Sequence, residues 1–121
     1  MPKQNSSSHE IDILRRAASV MPQGSLGNLH YELIIDRGKG SHIWDESGNE
    51  YIDYLLGSGP MIGGHGNPLV QSAVLEQLEK GTTFFATNEK SVELAEEIVK
   101  AVPCAEKVRF CSTGSEATLY A

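Results

Sequence analysis

The stretch that most constrains this chain is Val108-Arg109-Phe110-Cys111-Ser112-Thr113-Gly114-Ser115-Glu116-Ala117-Thr118. It reads as a short apolar strand, a tight turn of small hydroxylated residues around one glycine, and the opening of a helix. A strand–turn–helix step of this kind belongs to an α/β architecture, the strand delivering the chain to a sheet edge. The turn aims several backbone N–H groups the same way at a helix N-terminus, where the macrodipole favours negative charge. With the Ser112, Thr113 and Ser115 hydroxyls added, that is the outline of a phosphate cradle. Ser112 or Thr113 can equally act as a plain helix N-cap, and the turn by itself leaves both readings open. A P-loop fits less well, because no Gly-Lys-Ser/Thr follows to supply a lysine and a magnesium ligand.

The 121 residues carry a net charge of −6, and no basic cluster exceeds Arg15-Arg16, so nucleic acid and anionic membrane surfaces are excluded as expected partners. No apolar run approaches the ~20 residues that span a bilayer. The polar start, Met-Pro-Lys-Gln-Asn-Ser-Ser-Ser, does not resemble a signal peptide. Cys104 and Cys111 have no metal-ligand spacing, and reduced thiols in a cytoplasmic protein are the expectation. The chain reaches Ala121 only a few residues into its last helix, which reads as the N-terminal piece of a longer protein.

Taken in order, residues 1–6 are expected to be a disordered tail. Ser7 to Val20 forms an amphipathic helix, with Ser7 and Glu10 as a capping box and Ile11, Leu14 and Ala18 on one face. Pro22 and Gly24 end it, and Gln23-Gly24-Ser25-Leu26-Gly27-Asn28 is a loop without period. Leu33–Arg37, Ser41–Asp45 and Glu50–Tyr54 predict a three-stranded antiparallel meander, with Trp44 and Tyr51 packing on its faces and His42 an exposed strand histidine. Gly57-Ser58-Gly59 tempts a dinucleotide-binding reading, but the third glycine position is Ile62 and Pro60 and Gly63-Gly64 do not open a helix. The stretch from Leu55 to Gly66 is therefore an irregular glycine-rich loop.

Asn67 and Pro68 then cap and start a helix that Lys80-Gly81 closes. A second helix runs from about Asn88 to Pro103, with Val92, Ala95, Ile98, Val99 and Val102 inward and Glu93, Glu96 and Glu97 on a solvated face. Lys107 to Cys111 enters the sheet and leads into the turn. These elements divide into a small-domain segment over 7–60 and the start of a larger domain over 61–121.

The order of the motifs is more specific than any one of them. Trp44-Asp45-x-x-Gly48-Asn49-Glu50-Tyr51-Ile52-Asp53, then Gly64-His65-x-x-Pro68, then the helix pair, then Ser112-Thr113-Gly114-Ser115-Glu116-Ala117 resembles the N-terminal part of class III aminotransferases. These are fold-type I enzymes that use pyridoxal 5′-phosphate, and the resemblance is greatest to the glutamate-1-semialdehyde 2,1-aminomutase branch. The resemblance implies an α/β chain that supplies the N-terminal helix, a small meander, two helices and the first strand of the large-domain sheet. It implies that Thr113, Gly114 and Ser115 hold the cofactor phosphate.

It also places Ser25, Ser58 and Gly59 where substrate would sit. There the sequence departs from the branch. Ser58 stands where the aminomutases usually carry tryptophan, and Gln23-Gly24-Ser25-Leu26-Gly27-Asn28 replaces their Gly-Gly-Val-Asn-Ser-Pro. A transaminase acting on another amino acid or amine fits equally. The lysine that links to the cofactor lies beyond the phosphate turn in the family, and none of Lys3, Lys39, Lys80, Lys90, Lys100 and Lys107 matches its motif. The chain is thus expected to act within the remainder of its enzyme, as a homodimer, on an amino-acid or amine donor and a keto or aldehyde acceptor. A truncated copy serving as a non-catalytic interaction module is the alternative.

Overall fold

The computed structural model describes residues 6–26 and 32–121. The expected tail, apart from Ser6, and Gly27 and Asn28 of the expected substrate loop lie outside the described residues. Two compact units are formed, Met1–Glu76 and Gln77–Ala121.

In the first unit, α1 (Ser8–Val20) starts at Ser7, whose Oγ accepts from the Glu10 N–H at 3.1 Å. Only half of the expected capping box forms. The Ser7 N–H donates to Ser47 Oγ at 2.8 Å, and the Glu10 carboxylate accepts from the Ser47 hydroxyl at 2.5 Å and the Ile34 N–H at 3.3 Å. Glu10 is thereby fully buried and ties α1 to two other segments. The apolar face expected to do this is covered only in part, Leu14 being half-buried, Ile11 56% exposed and Ala18 exposed. The fully buried contact that docks the helix is the hydrogen-bonded Glu10 carboxylate.

The meander is present, with strand order β1-β2-β3 and both pairs antiparallel. β1 (Ile35–Lys39) sits two residues later than expected, β2 is His42–Asp45, and β3 (Glu50–Ile52) is shorter. Asp45, 1% exposed, builds the β2–β3 turn. Its Oδ1 accepts from the Ser47 and Asn49 N–H groups, both at 2.9 Å, and its Oδ2 from Asn49 Nδ2 at 3.0 Å and Tyr51 OH at 2.8 Å. Tyr51 therefore serves through its hydroxyl as much as its ring. Trp44 packs beneath the Arg37 guanidinium, 4.6 Å from the ring centre, and stacks on His42.

From Leu55 to Gly66 the backbone is irregular, as the glycines require, with a 3₁₀ turn at Leu56–Ser58. The loop returns to the sheet where Gly40 and His65 exchange two 2.8 Å backbone hydrogen bonds. Asn67 Oδ1 then accepts from the Leu69 and Val70 N–H groups and opens α2 (Pro68–Lys80). Gly81, at φ 91°, stops α2.

In the second unit, α3 (Glu89–Ala101) is capped by Asn88, which accepts from the Ser91 N–H at 3.0 Å. α4 (Gly114–Tyr120) is capped by Thr113. The strand expected over Lys107–Cys111 forms no ladder. A strand needs a neighbour for its N–H and C=O groups, and among the described residues none is offered. Arg109 is instead held over the Tyr120 ring at 3.8 Å, folding this segment back on α4.

Among the described residues no hydrophobic side chain is buried; the fully buried ones are Glu10 and Asp45. The stripe expected to face inward on α3 is only partly covered, Ala95 and Ile98 being half-buried and Val92 and Val102 44% and 41% exposed, and on α2 Leu69 is 82% exposed. No helix among the described residues is long and apolar enough to cross a membrane.

Candidate functional site

The hydroxylated turn brings Thr113, Gly114 and Ser115 together on one exposed bend. Thr113 Oγ1 accepts from the Glu116 N–H at 3.1 Å, while Glu116 Oε2 accepts from the Thr113 N–H at 2.9 Å, a complete capping box. The same Oε2 accepts from the Ser112 N–H at 2.9 Å and the Thr113 hydroxyl at 3.2 Å. The helix-cap reading of the turn is thus realised. Thr113 is a helix cap, and the Ser112–Thr113 half of the cradle already holds a carboxylate.

The Gly114–Ser115 half is different. No hydrogen bond to described residues engages the Gly114 or Ser115 N–H, and a Cβ added at Gly114 would meet nothing within 4 Å. Gly114 is helical and needs no left-handed backbone. Neither conformation nor packing within the described chain calls for glycine there. An open glycine, two outward N–H donors and a free serine hydroxyl at a helix start have the chemistry to receive a phosphate oxygen.

The other candidate residues belong to the first unit. Ser25 is half-buried after the turn that ends α1, and Ser58 and Gly59 are exposed in the glycine-rich loop. Leu56 and Ser58 adopt φ of 45° and 65°, left-handed values that non-glycine residues rarely take. Below this loop lies an apolar cavity of about 540 Å³ whose lining includes Ile43, Tyr51, Leu55 and His65.

At its rim His65 Nε2 and Asp53 Oδ2 are 2.7 Å apart, with side chains 23% and 12% exposed. Asp53 Oδ1 accepts from the Leu55 and Leu56 N–H groups at 2.9 and 3.0 Å. The His65 hydrogen bond, then that of Leu56, hold the Asp53 carboxyl below the usual aspartate value, against a smaller opposing effect of burial.

Sequence reasoning missed the roles of Asp53, His65 and Gly38. A Cβ at Gly38 would lie 2.6 Å from the His65 ring, a contact across 27 positions that no local pattern announces. The role of Glu116 does have a local signal, since Thr113-x-x-Glu116 is a capping-box pattern in its own right.

The family model for aminotransferase class-III matches residues 24–121. The chain belongs to the class III aminotransferases. The glutamate-1-semialdehyde 2,1-aminomutase of Methanosphaera stadtmanae is 48% identical over 91 residues, which are 75% of this chain and 22% of that protein. Among solved structures, an omega-transaminase from Sphaerobacter thermophilus superposes with a TM-score of 0.86 at 31% identity, over 97% of this chain and 27% of that one. A transaminase with PLP bound gives 0.85 at 30% identity, over 96% and 28%. The chain spans between 20% and 27% of the length of the curated aminotransferase-family relatives it matches.

Proposed function

We propose that this chain contributes the phosphate-binding turn and part of the substrate wall of a pyridoxal 5′-phosphate-dependent enzyme that transfers an amino group. The observation that carries the reading is Gly114, a glycine whose open side and outward amides have no other use in the described chain. Gly114 and Ser115 would hold the phosphate by backbone N–H groups and the Ser115 hydroxyl. Thr113 would take part by turning its hydroxyl donor from Glu116 Oε2 to the phosphate while its amide stays with Glu116. When bound, the cofactor supplies an aldehyde for the donor's amino group and a ring that withdraws electrons from the adjoining carbon.

Ser58 and Gly59, with Ser25, would line the donor's side chain. Serine in place of a bulky aromatic at position 58 makes room there, which favours a transaminase with a larger or different donor over the aminomutase reaction. Lys39, Lys80, Lys90, Lys100 and Lys107 are all exposed. The lysine that bonds the cofactor and moves the substrate proton would lie in a longer polypeptide, which would assemble as a homodimer.

The test is to titrate pyridoxal 5′-phosphate into the full-length gene product, follow its visible absorbance, and measure amino transfer from a donor panel to pyruvate. Saturable binding that inorganic phosphate weakens, with turnover, supports the reading. Absence of binding overturns it in favour of a non-catalytic module.

A further inference from the structure

The glycine-rich loop that carries Ser58 and Gly59 is held in a conformation its own residues disfavour. Leu56 and Ser58 are left-handed at φ 45° and 65°, flanking Gly57 at 66°. Ser58 is exposed, and Leu56 is only half-buried. Packing therefore does not explain two such residues within three positions. Strained backbone of this kind persists only where surrounding bonds over-determine it.

Those bonds converge on Leu56. Its N–H donates to Asp53 Oδ1 at 3.0 Å, and its C=O accepts from the Met61 N–H at 3.1 Å and the Gly59 N–H at 3.3 Å. Asp53 is fixed in turn by His65 Nε2 at 2.7 Å, and His65 is locked to Gly40 by two backbone hydrogen bonds of 2.8 Å. Gly38 leaves the space the imidazole fills. One carboxylate thus grips the loop's first turn with one oxygen and, with the other, the residue at which the loop rejoins the sheet.

We propose that Asp53 and His65 are positioning residues that clasp the loop between them and thereby set the Ser58–Gly59 surface presented to the amino donor. The clasp stands on geometry alone; its consequence for the donor rests on the functional reading above. Neither side chain is given a chemical step. The clasp fixes where the donor's side chain lies, and so it acts on donor recognition and not on the phosphate grip.

The experiment compares wild type, Asp53→Ala, Asp53→Asn and Gly38→Ala in the full-length gene product. Hydrogen exchange is read at the Leu55 and Leu56 amides. Steady-state kinetics use whichever of L-alanine, L-glutamate or benzylamine the wild type turns over with pyruvate, and cofactor affinity is read by absorbance. Losing hydrogen bonds to a charged acceptor is expected to speed exchange at both amides by about tenfold or more in Asp53→Ala. The donor KM is expected to rise about fivefold or more with kcat and cofactor affinity nearly unchanged, the signature of lost binding common to ground and transition states.

Gly38→Ala pushes the His65 ring away from outside the clasp and should move both readouts in the same direction, which guards against an Asp53→Ala protein that fails to fold. Asp53→Asn keeps the oxygen that accepts from Leu55 and Leu56 but loses the carboxylate oxygen that faces His65, and should fall between wild type and Asp53→Ala in both. Unchanged exchange in Asp53→Ala and Gly38→Ala overturns the clasp. Faster exchange with an unchanged donor KM overturns its role toward the donor. A wild type that turns over none of the donors overturns the functional reading, and the exchange arm then judges the clasp by itself.

Discussion

Replacing Gly114 by alanine separates a glycine kept for the fold from one kept for a ligand. Inside a helix the change favours alanine by ~0.5–1 kcal/mol, and at the first helical position the gain is about half of that. An alanine Cβ at this position meets no protein atom within 4 Å and no left-handed backbone, so nothing in the described chain opposes the gain. The cost falls on the ligand. A phosphate on the Gly114 and Ser115 amides makes charge-assisted hydrogen bonds worth ~1.5–3 kcal/mol each. A methyl group that spoils one of them weakens the cofactor by roughly 10- to 100-fold. Calorimetry of the cofactor-free full-length variant, beside an absorbance titration with pyridoxal 5′-phosphate, reads both quantities. The expected result is equal or slightly higher thermal stability with at least tenfold weaker binding. Unchanged affinity would refute the phosphate assignment. A loss of more than about 1 kcal/mol of stability without cofactor would show that glycine is there for a protein neighbour.

Asp45→Ala removes the acceptor of the Ser47 and Asn49 backbone amides and of the Asn49 side-chain amide; at about 1 kcal/mol each, the low end for groups water can reach, the β2–β3 turn loses ~3 kcal/mol. Native-state hydrogen exchange at Ser47 and Asn49 should then quicken about a hundredfold, with Asp45→Asn costing less than half as much. Acid provides another check, since Asp53 has its carboxyl pKa lowered by folding. A lowered pKa contributes stability above the unfolded-state value near pH ~4, which is lost as pH falls through the folded value. Exchange at Leu55 and Leu56, referenced to intrinsic rates, should therefore show the clasp intact at pH 5 and failing only below about pH 4. The 121-residue chain by itself, with Leu69, Phe85 and Leu119 at least 80% exposed, should bind a hydrophobic dye and associate with rising concentration; a monomer that binds no dye would contradict this.

The elements were legible wherever local chemistry decides them. Ser7, Asn67, Asn88 and Thr113 each accept from a backbone N–H at the start of a helix, and the Glu46–Asn49 turn sits between two strands as its residues require. Long-range consequences were not legible. Glu10 has the sequence look of a capping glutamate, yet its carboxylate reaches Ser47 and Ile34, because burial selected the partners that spacing could not name. Apolar periodicity described the faces of α1, α2 and α3 without saying how little of them the described chain covers, Leu14, Ala95 and Ile98 being half-buried while Ile11, Leu69 and Val92 stay exposed. Lys107–Cys111 has strand composition, but composition supplies no neighbouring strand. At the site, the turn around Gly114 was readable from its residue types, whereas Asp53, His65 and Gly38 meet only through the return of the loop to the sheet.

That the two fully sequestered side chains among the described residues are carboxylates has a thermal consequence. The curvature of a protein's stability with temperature comes from apolar surface newly hydrated on melting, at ~0.45 cal/mol/K per Å², and polar surface contributes with the opposite sign. A chain whose fully closed side chains, among the described residues, are carboxylates, and whose apolar ones all stay partly wetted, has less of the first than a packed apolar core would give. Its heat-capacity step should be shallow for its length, and cooling should leave it about as well folded as warmth does.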